Sequence, residues 1–354
     1  MEKINVLVIG ADHQNTLGVI RALGKEGCCV NICIHQSETS FEPTRCFKSK
    51  YANGIKVISK EEESELISKI DFIVDSLNLP TKIPVIPTSD FAELCIDGNL
   101  DYLREKCILP SIANSEGLIQ KYMDKSEQYQ LAARYNIKMA ESAVVDLNSE
   151  ELMKAGKKIG FPIIAKPLVS AEGKKSDIVV IDKEQMAREV QEKLLNSGYT
   201  QILVQKYIKK DFECCTFGCI TPNKTVSYGT LKKIRYYPYT GGTSLSYAKF
   251  VDYEEKLNPI ISMLTDLGYS GLFDLETFHV GEVIYLNEIN FRNSGNTWAL
   301  VNNGFNIPWI WVSSVYLGNL IRNRYMTREK YFMNETSDLH HLLDRKIGVL
   351  TWAR

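Results

Sequence analysis

The stretch GLFDLETFHVGEVIYLNEINFRNSGN, residues 271–296, decides the fold. Its apolar residues flank turn-forming residues at 280–282, which predicts two short strands joined by a tight turn. Asp274 and Glu276 are two apart on the first strand, so their side chains project from the same face. The first strand of this hairpin therefore presents two carboxylates together.

The second strand brings further polar groups to the same end of the hairpin. Glu288 and Asn290 are two apart, and Arg292 follows at the same spacing. Such a face is costly to bury without a cation. Oxygen ligands suit Mg²⁺, which usually takes one or two carboxylates and completes its shell with phosphate oxygens and water. The hairpin is either a magnesium–nucleotide site with an arginine for an anionic substrate, or a solvated edge, and its pattern alone does not decide.

Composition narrows the class of protein. The chain has 354 residues, of which 44% are hydrophobic and 24% charged, and this balance predicts a globular protein of two or three subdomains. The formal net charge is −1, which argues against a broad nucleic-acid-binding surface. We therefore expect small-molecule partners and no nucleic acid or membrane partner.

The cellular compartment of the protein is predicted from its N-terminal residues and its cysteines. No run reaches the roughly 18 apolar residues of a membrane span, and MEKINVLVIGADH is interpreted as a first strand and not a signal peptide. The nine cysteines include no CxxC pair, which favours buried reduced thiols over a metal or redox site. These features predict a cytoplasmic protein.

The first 113 residues are predicted to form one α/β domain. An apolar strand at 4–9, a helix that ends at Gly27 and a second strand, CVNICIH, give a βαβ opening. No G-x-G-x-x-G is present, so we expect a Rossmann-like scaffold that binds no dinucleotide. A further acidic helix is predicted at 59–70.

The segment VIPTSD at 85–90 predicts a strand that ends in a polar turn. Open α/β sheets place ligand contacts at such turns, so Ser89 and Asp90 are candidate substrate contacts. The alternative is that Asp90 caps the helix that follows.

Two lysines come next. Residues 114–137 are predicted to be helical, and the pattern Asp124 to Glu127 resembles a capping box that places Lys125 at a helix N-terminus. A cation there opposes the helix dipole, and a bound phosphate would resolve the conflict; the alternative is a solvent-facing lysine. Lys166 ends an apolar strand before the polar loop 170–176, which predicts a phosphate clamp that is not a Walker A loop.

The second half of the chain is predicted to alternate strands and helices. Strands are expected at 201–208, from Glu213 onward and around Lys232, Lys233 and Arg235, and an amphipathic helix at 254–267. The apolar segment PWIWVSSVY is expected to be core, with a homodimer interface as the alternative. His340 and His341 are interpreted as surface residues.

Taken in order, these motifs resemble the ATP-grasp superfamily over residues 114–312. They are DK at 124–125, FPIIAKP with its loop at 161–176, VQKYI…FE at 204–213 and LE…NEINFR at 275–292. The segments VIPTSD, IRYYPYTGGTS and EINFRNSG…NNGFNIPWIW are similar to the branch of carboxylate–amine ligases near the D-aspartate ligases. The fold implied is α/β, with α+β character in the nucleotide-binding part. Its implied divisions are 1–113, a Rossmann-like domain preceding the ATP-grasp fold; 114–200, a small subdomain with a central hairpin and phosphate loop at 160–182; 201–335, a C-terminal subdomain with the Mg-ATP site; and 336–354, a tail.

The resemblance implies a role for each site residue. The implied ATP contacts are phosphate-binding Lys125 and Lys166, the closing loop Ser170–Ser176 with Ser170 and Gly173, the adenine-reading strand Gln205, Lys206, Tyr207 and Ile208, and ribose-binding Glu213. The implied ligands of two Mg²⁺ ions, with Mn²⁺ as the alternative ion, are Glu276, Glu288 and Asn290, with Asp274 in support. Lys233, preferred over Lys232 because it shares the face of Arg235, is the implied γ-phosphate contact. The implied catalytic residues are Arg292, Lys166 and Lys233, and the substrate contacts are Arg235, Arg292, Ser89 and Asp90.

The reaction that the resemblance implies joins a carboxylate to an amine through an acyl phosphate and releases ADP and phosphate. The phosphoryl transfer needs positioning and charge neutralisation more than covalent protein chemistry. No general base is assigned, because His279 is expected on the face opposite Asp274. The alternatives are other ATP-grasp chemistry, such as a carboxylase or kinase-like enzyme, and a non-catalytic ATP-binding regulatory protein.

Overall fold

The computed structural model describes residues 3–37, 44–168, 177–237, 244–318, 324–325 and 330–352. The predicted phosphate loop, including Ser170 and Gly173, lies outside the described residues, and so do Gly241 and Gly242 of the segment IRYYPYTGGTS. Within the described residues, no helix combines the length and the apolar character that crossing a bilayer would take.

The first domain is a parallel sheet covered by helices. Its strands are β1 (Asn5–Gly10), β2 (Cys29–Gln36), β3 (Lys56–Lys60), β4 (Ile83–Pro87) and β5 (Cys107–Ile108), and its helices are α1 (Gln14–Lys25), α2 (Glu63–Leu77), α3 (Asp90–Asp97) and α4 (Leu100–Leu103), with a 3-10 turn at Cys46–Lys48. The strand order is β3-β2-β1-β4-β5, and the pairings are parallel. Residues 6–9 are fully buried, as expected for a strand covered on both faces.

Two expectations for this domain were wrong in detail. The acidic helix begins at Glu63 and not at Ser59, because Ser59 pairs with His35 as part of β3. Asp90 does not cap the helix after β4. The N-cap is Ser89, whose Oγ accepts a hydrogen bond from the Ala92 N–H.

A short strand and two helices lead out of the first domain. They are β6 (Ser111–Ile112), α5 (Leu118–Met123) and α6 (Lys125–Arg134). The single helix predicted over 114–137 is interrupted at Asp124, whose backbone is extended. Its carboxylate accepts hydrogen bonds from the N–H groups of Ser126 and Glu127, so the predicted cap exists and sets the start of α6.

A second, antiparallel sheet forms a unit with its own core. Its elements are β7 (Ser142–Asp146), α7 (Glu151–Ile159), β8 (Ile163–Lys166), β9 (Val179–Ile181), α8 (Ala187–Asn196) and β10 (Gln201–Lys206), with a 3-10 turn at Glu184–Met186. The strand order is β7-β10-β8-β9. The buried residues of this core all lie between Val145 and Val204, so the unit encloses its apolar side chains without help from the other sheets.

The third sheet is the largest and carries the hairpin. Its elements are β11 (Phe212–Ile220), β12 (Val226–Tyr237), β13 (Ser244–Val251), α9 (Glu254–Asp266), β14 (Tyr269–Val280), β15 (Val283–Asn290), α10 (Trp298–Asn302), α11 (Ile307–Leu317), β16 (Arg324–Tyr325), β17 (Tyr331–Met333), α12 (Glu335–Leu343) and α13 (Val349–Trp352), with a 3-10 turn at Gly295–Thr297. The order is β15-β14-β11-β12-β13-β17, with β6 beside β14 and β16 beside β12. One core cluster joins residues of the first domain to Phe217, Leu231 and Trp311, so the first domain and this sheet share apolar packing. Burial of Trp311 confirms PWIWVSSVY as core.

The C-terminal segment is folded onto the third sheet. Asp338 in α12 is fully buried and accepts two hydrogen bonds from the Arg235 guanidinium, at 2.9 and 2.6 Å. His341 was expected on the surface, but it is buried, with Nε2 2.9 Å from the carbonyl oxygen of Tyr236. The expectation failed because both contacts join residues about a hundred positions apart, which no local pattern reveals.

Candidate active site

The hairpin of β14 and β15 sets two polar pairs side by side. Glu276 lies opposite Glu288 and Asp274 lies opposite Asn290 in the strand register. Directly opposed residues share one face of the sheet and lie close together. The hairpin closes through the residues Gly281 and Glu282 between the paired ends of the strands.

A β-bulge makes the glutamates face each other. The register shifts between Glu276 and Thr277, because Thr277 pairs with Leu286 whereas Glu276 pairs with Glu288. Asn287 is the extra residue, and its Nδ2 donates a hydrogen bond to Glu276 Oε2 at 3.3 Å. Without the bulge, Glu276 would face Asn287. Bulges commonly re-aim side chains in this way beside active sites.

Three lysines from separate elements converge on these glutamates. Lys125 Nζ, at the start of α6, lies 3.4 Å from Glu288 Oε1, and Lys233 Nζ, on β12, lies 3.8 Å from Glu276 Oε1. Lys125 is only 7% exposed, so the solvent-facing alternative was wrong. Lys166 ends β8 and is 8% exposed. Within the described residues, its ammonium makes no hydrogen bond or ion pair.

The surroundings of Lys166 disfavour the positive charge of its ammonium. Burial lowers the pKa of this ammonium to about 8, and the positive charge of Lys125 contributes to the lowering. Glu288 and Glu276 act in the opposite direction. A buried ammonium without an ion pair is a site that a polyanion would stabilise.

Glu213 and Lys233 form a second charged group on adjacent strands. Lys233 Nζ lies 2.9 Å from Glu213 Oε2, and Lys210 pairs with the other carboxylate oxygen. Burial raises the pKa of Glu213, but the two lysines outweigh it and the pKa is lowered. Lys232 Nζ instead lies 3.8 Å from the centre of the Phe212 ring. The structure therefore brings Lys233, and not Lys232, to the glutamates.

Arg292 lies where the hairpin meets the first domain. Its Nε donates to Asp90 Oδ1 at 2.6 Å, its Nη1 to the Asn293 carbonyl at 3.3 Å and its Nη2 to Asn290 Oδ1 at 3.3 Å. Burial lowers the pKa of Arg292, but Asp90 and Asp274 outweigh it and the pKa is raised. A guanidinium has five N–H groups, so two remain for an anionic ligand.

Asp274 is the most buried of the predicted metal ligands. Its Oδ1 has no hydrogen-bond partner among the described residues. Burial, and next the charge of Glu276, raise the pKa of this carboxyl to about 7. In the described part of the chain, no three His, Cys, Asp or Glu side chains are grouped so as to hold a metal ion. Asp274 lies in the register pair next to that of the two glutamates, opposite Asn290.

The segment predicted to contact adenine, residues 205–208, begins in β10 and continues past its end. Gln205 is buried and Nε2 donates to the Ala140 carbonyl at 3.4 Å, whereas Tyr207 is exposed. Lys206 Nζ donates to the Gly160 carbonyl at 2.6 Å. Ile208 follows beyond the end of the strand. This segment runs beside β8, the strand that ends at Lys166.

Arg235 does not contact any of the partners of the other predicted substrate contacts among the described residues. Its guanidinium is engaged by Asp338 and stacks over the Tyr247 ring, 4.0 Å from the ring centre. Ser89 and Asp90 do reach the site through the ion pair of Asp90 with Arg292. The sequence did not flag two further residues: His35 Nε2 lies 2.7 Å from Ser89 Oγ, and Glu61 Oε1 lies 3.4 Å from His35 Nδ1. No spacing signal connects them, since His35 lies in β2 and Glu61 follows β3.

Residues 130–302 match the family of the ATP-grasp domain. The formate-dependent phosphoribosylglycinamide formyltransferase of Prochlorococcus marinus strain MIT 9515 is 29% identical over 164 residues, 44% of this chain and 41% of that protein. The chain spans less than half the length of the curated relatives that it matches.

Two solved structures are similar over most of the chain. N5-carboxyaminoimidazole synthetase from Staphylococcus aureus, complexed with ADP, has a TM-score of 0.71 at 16% identity and covers 98% of this chain and 86% of its own. L-amino acid ligase from Bacillus licheniformis has a TM-score of 0.66 at 13% identity, over 89% of this chain and 74% of its own.

The fold is thus a Rossmann-like domain followed by the two sheets of an ATP-grasp fold, as predicted. Residues 130–302 thus form an ATP-grasp domain. The exact domain boundaries and the role of each site residue stay predictions.

Proposed function

We propose that the protein is an ATP-dependent carboxylate–amine ligase, with an amino acid as one substrate, that works in the cytoplasm. It forms an amide through an acyl phosphate and releases ADP and phosphate. The observation that carries the proposal is that Lys125 and Lys233 contact the opposed pair Glu276 and Glu288. The buried Lys166 lies within electrostatic reach of both glutamates, and Arg292 contacts Asn290 in the next register pair. Nine free cysteines, mostly buried, support the reducing compartment.

ATP binding is assigned to the lysines and to the strand that leaves β10. Lys125 and Lys166 would contact the α- and β-phosphates, and Lys233 the γ-phosphate. The backbone of residues 205–208 would read adenine. Glu213 would bind the ribose hydroxyls, and it is held for this by Lys210 and Lys233.

The oxygen donors at the hairpin fit magnesium. Glu276, Glu288 and Asn290 supply two carboxylates and one amide oxygen, and phosphate oxygens and water would complete an octahedral shell. Asp274, with its buried and unpartnered Oδ1, would support this set from the next register pair. Bound Mg²⁺ would neutralise charge on the transferred phosphoryl group.

The chain's own residues supply the remaining parts of the reaction. A substrate carboxylate oxygen attacks the γ-phosphorus, ADP leaves and an acyl phosphate forms. The amine nitrogen then attacks the acyl carbon, phosphate leaves and the nitrogen loses a proton. The two remaining N–H groups of Arg292 would hold the carboxylate and then the acyl phosphate. Asp90 and Asn290 fix the guanidinium in place beforehand, which is the preorganisation that electrostatic catalysis needs.

The similar proteins support the reaction class. One is named an L-amino acid ligase and another a formate-dependent formyltransferase. Because the structural likenesses are below 25% identity, they support the fold, and the substrates are proposed from the site.

A substrate screen tests the proposal. Amino acids and other carboxylic acids are combined pairwise with Mg-ATP, and phosphate release is measured; release that needs both an acid and an amine is the expected result. Lys166→Met should abolish it, whereas Lys158→Met, the same change at an exposed lysine of α7, should not. Release with bicarbonate alone would favour a carboxylase, and ATP binding without turnover with any pair would favour a regulatory protein.

A further inference from the structure

A histidine, a serine and a glutamate meet at the carboxyl edge of the first sheet. His35 lies near the end of β2, Glu61 follows β3 and Ser89 follows β4. His35 Nε2 is 2.7 Å from Ser89 Oγ, and His35 Nδ1 is 3.4 Å from Glu61 Oε1. His35 is 4% exposed and Ser89 is half-buried. This edge is where open α/β sheets bind ligands.

The contacts of His35 select one tautomer. The negative charge of Glu61, 3.4 Å from Nδ1, favours a proton on that nitrogen over a lone pair. Burial lowers the pKa of His35 to about 4, so the ring is neutral near pH 7 and Nε2 is then an acceptor. The hydroxyl proton of Ser89 must therefore point to Nε2.

The hydroxyl of Ser89 then has one lone pair left to bind a ligand. Its proton goes to His35, and one lone pair accepts from the Ala92 N–H at 3.2 Å. The second lone pair remains, and it accepts only. A serine with a freely turning hydroxyl could bind a donor or an acceptor, but this serine can bind only a donor.

A second acceptor lies on the next residue. Asp90 Oδ1 accepts a hydrogen bond from Arg292 Nε, and Asp90 Oδ2 has no hydrogen-bond partner among the described residues. Two acceptors that lack donors among the described residues thus lie on neighbouring residues, and an amine has the N–H groups to satisfy them. The half charge at the start of a helix such as α3 disfavours a cation, so the surroundings of Ser89 favour a neutral amine.

We propose that Ser89 and Asp90 form the subsite for the amine substrate, with His35 and Glu61 as positioning residues that turn a lone pair of Ser89 toward it. The inference rests on the proposed ligase function and names where its second substrate binds. Asp90 is shared with Arg292, so an amine held there lies beside the residue proposed to hold the acyl phosphate.

The test uses Ser89→Gly and Glu61→Gln with the pair of acid and amine chosen by the phosphate-release screen. Glycine removes the hydroxyl yet retains most of the capping effect. We expect the KM for the amine to rise about tenfold in Ser89→Gly and about threefold in Glu61→Gln, as for the loss or weakening of one hydrogen bond. The KM values for ATP and the acid should stay within about twofold of wild type. Glu62→Gln, the same change at the exposed neighbour of Glu61, is the control and should match wild type.

A second readout follows the tautomer directly. Long-range proton–nitrogen spectra of histidine-labelled protein, with the His35 signal assigned through His35→Gln, should show the Nδ1–H form in wild type and a loss of that preference in Glu61→Gln. An Nε2–H form or a charged ring in wild type overturns the proposal, whichever substrates are found.

Hydroxylamine separates this proposal from the ligase function. It traps acyl phosphates as hydroxamates, so ATP-dependent hydroxamate formation from an acid alone reports the first half-reaction. Hydroxamate formation together with an unchanged KM for the amine in both variants refutes the subsite and leaves the ligase function standing. Absence of hydroxamate with every acid refutes the ligase function, and the subsite with it.

Discussion

Lys166 should take up a proton when a nucleotide binds. Burial lowers the pKa of this lysine from 10.5 to about 8 in the free protein. That difference corresponds to about 3 kcal/mol against the charged form. Phosphate oxygens beside the ammonium should return its pKa to at least the ordinary value, because they favour the charged state.

The sign and size of the effect follow from linkage. The complex binds more protons than the free protein above pH 7, so affinity falls as pH rises. With a pKa of about 8, the free lysine is about half neutral at pH 8 and about one tenth neutral at pH 7. We therefore expect uptake of about 0.5 proton per nucleotide at pH 8 and about 0.1 at pH 7.

Calorimetry measures this uptake. Binding of a non-hydrolysable ATP analogue with excess Mg²⁺ is titrated in buffers of different ionisation enthalpy, and the slope of the observed enthalpy gives the protons exchanged. Lys166→Arg is the control, because arginine stays protonated at both pH values. Equal uptake at pH 8 by wild type and Lys166→Arg would refute the assignment of a nucleotide phosphate to the buried lysine.

Three further predictions concern the hairpin and the C-terminal helix. Glu288→Gln should lower turnover at least about 100-fold with an unchanged circular dichroism spectrum, because it removes a metal-binding charge and keeps the side-chain volume; near-normal turnover at saturating Mg²⁺ would contradict the metal assignment. Asp338→Ala should lower the free energy of unfolding by about 3 kcal/mol, since it leaves Arg235 without its buried partner, and a change below about 0.5 kcal/mol in urea denaturation would show that the pair contributes little. Gly281→Ala should cost about 1 kcal/mol in the same assay, because Gly281 has a φ of +54°; Gly348→Ala, at a glycine with no neighbour near the added carbon and no positive φ, should cost less.

The hairpin shows how far spacing arguments reach. Glu276 and Glu288 are twelve positions apart, and the register shows that they face each other. The reason is the bulge at Asn287, which a sequence pattern does not display. The turn residues between the paired Val280 and Val283 would by themselves have put Glu288 opposite Leu275, on the other face.

Contacts between segments that are distant in the chain could not be predicted from the sequence. The resemblance implied Arg235 as a substrate contact, yet its guanidinium binds Asp338, 103 positions away. His35 and Ser89 are 54 positions apart and meet only because β2 and β4 end at the same edge. Side chains at strand ends are placed by the order of strands in a sheet, and periodicity within each strand does not reveal that order.

The separate core of the unit from β7 to β10 allows this unit to unfold locally. Since its buried residues lie between Val145 and Val204, the unit can lose structure without exposing the core that joins the first domain to the third sheet. Amide hydrogen exchange would then report two blocks with separate opening free energies. A nucleotide held by Lys166 on one block and by Lys125 and Lys233 on the other would tie the two together, so substrate binding would be visible as a rise in cooperativity of the whole chain.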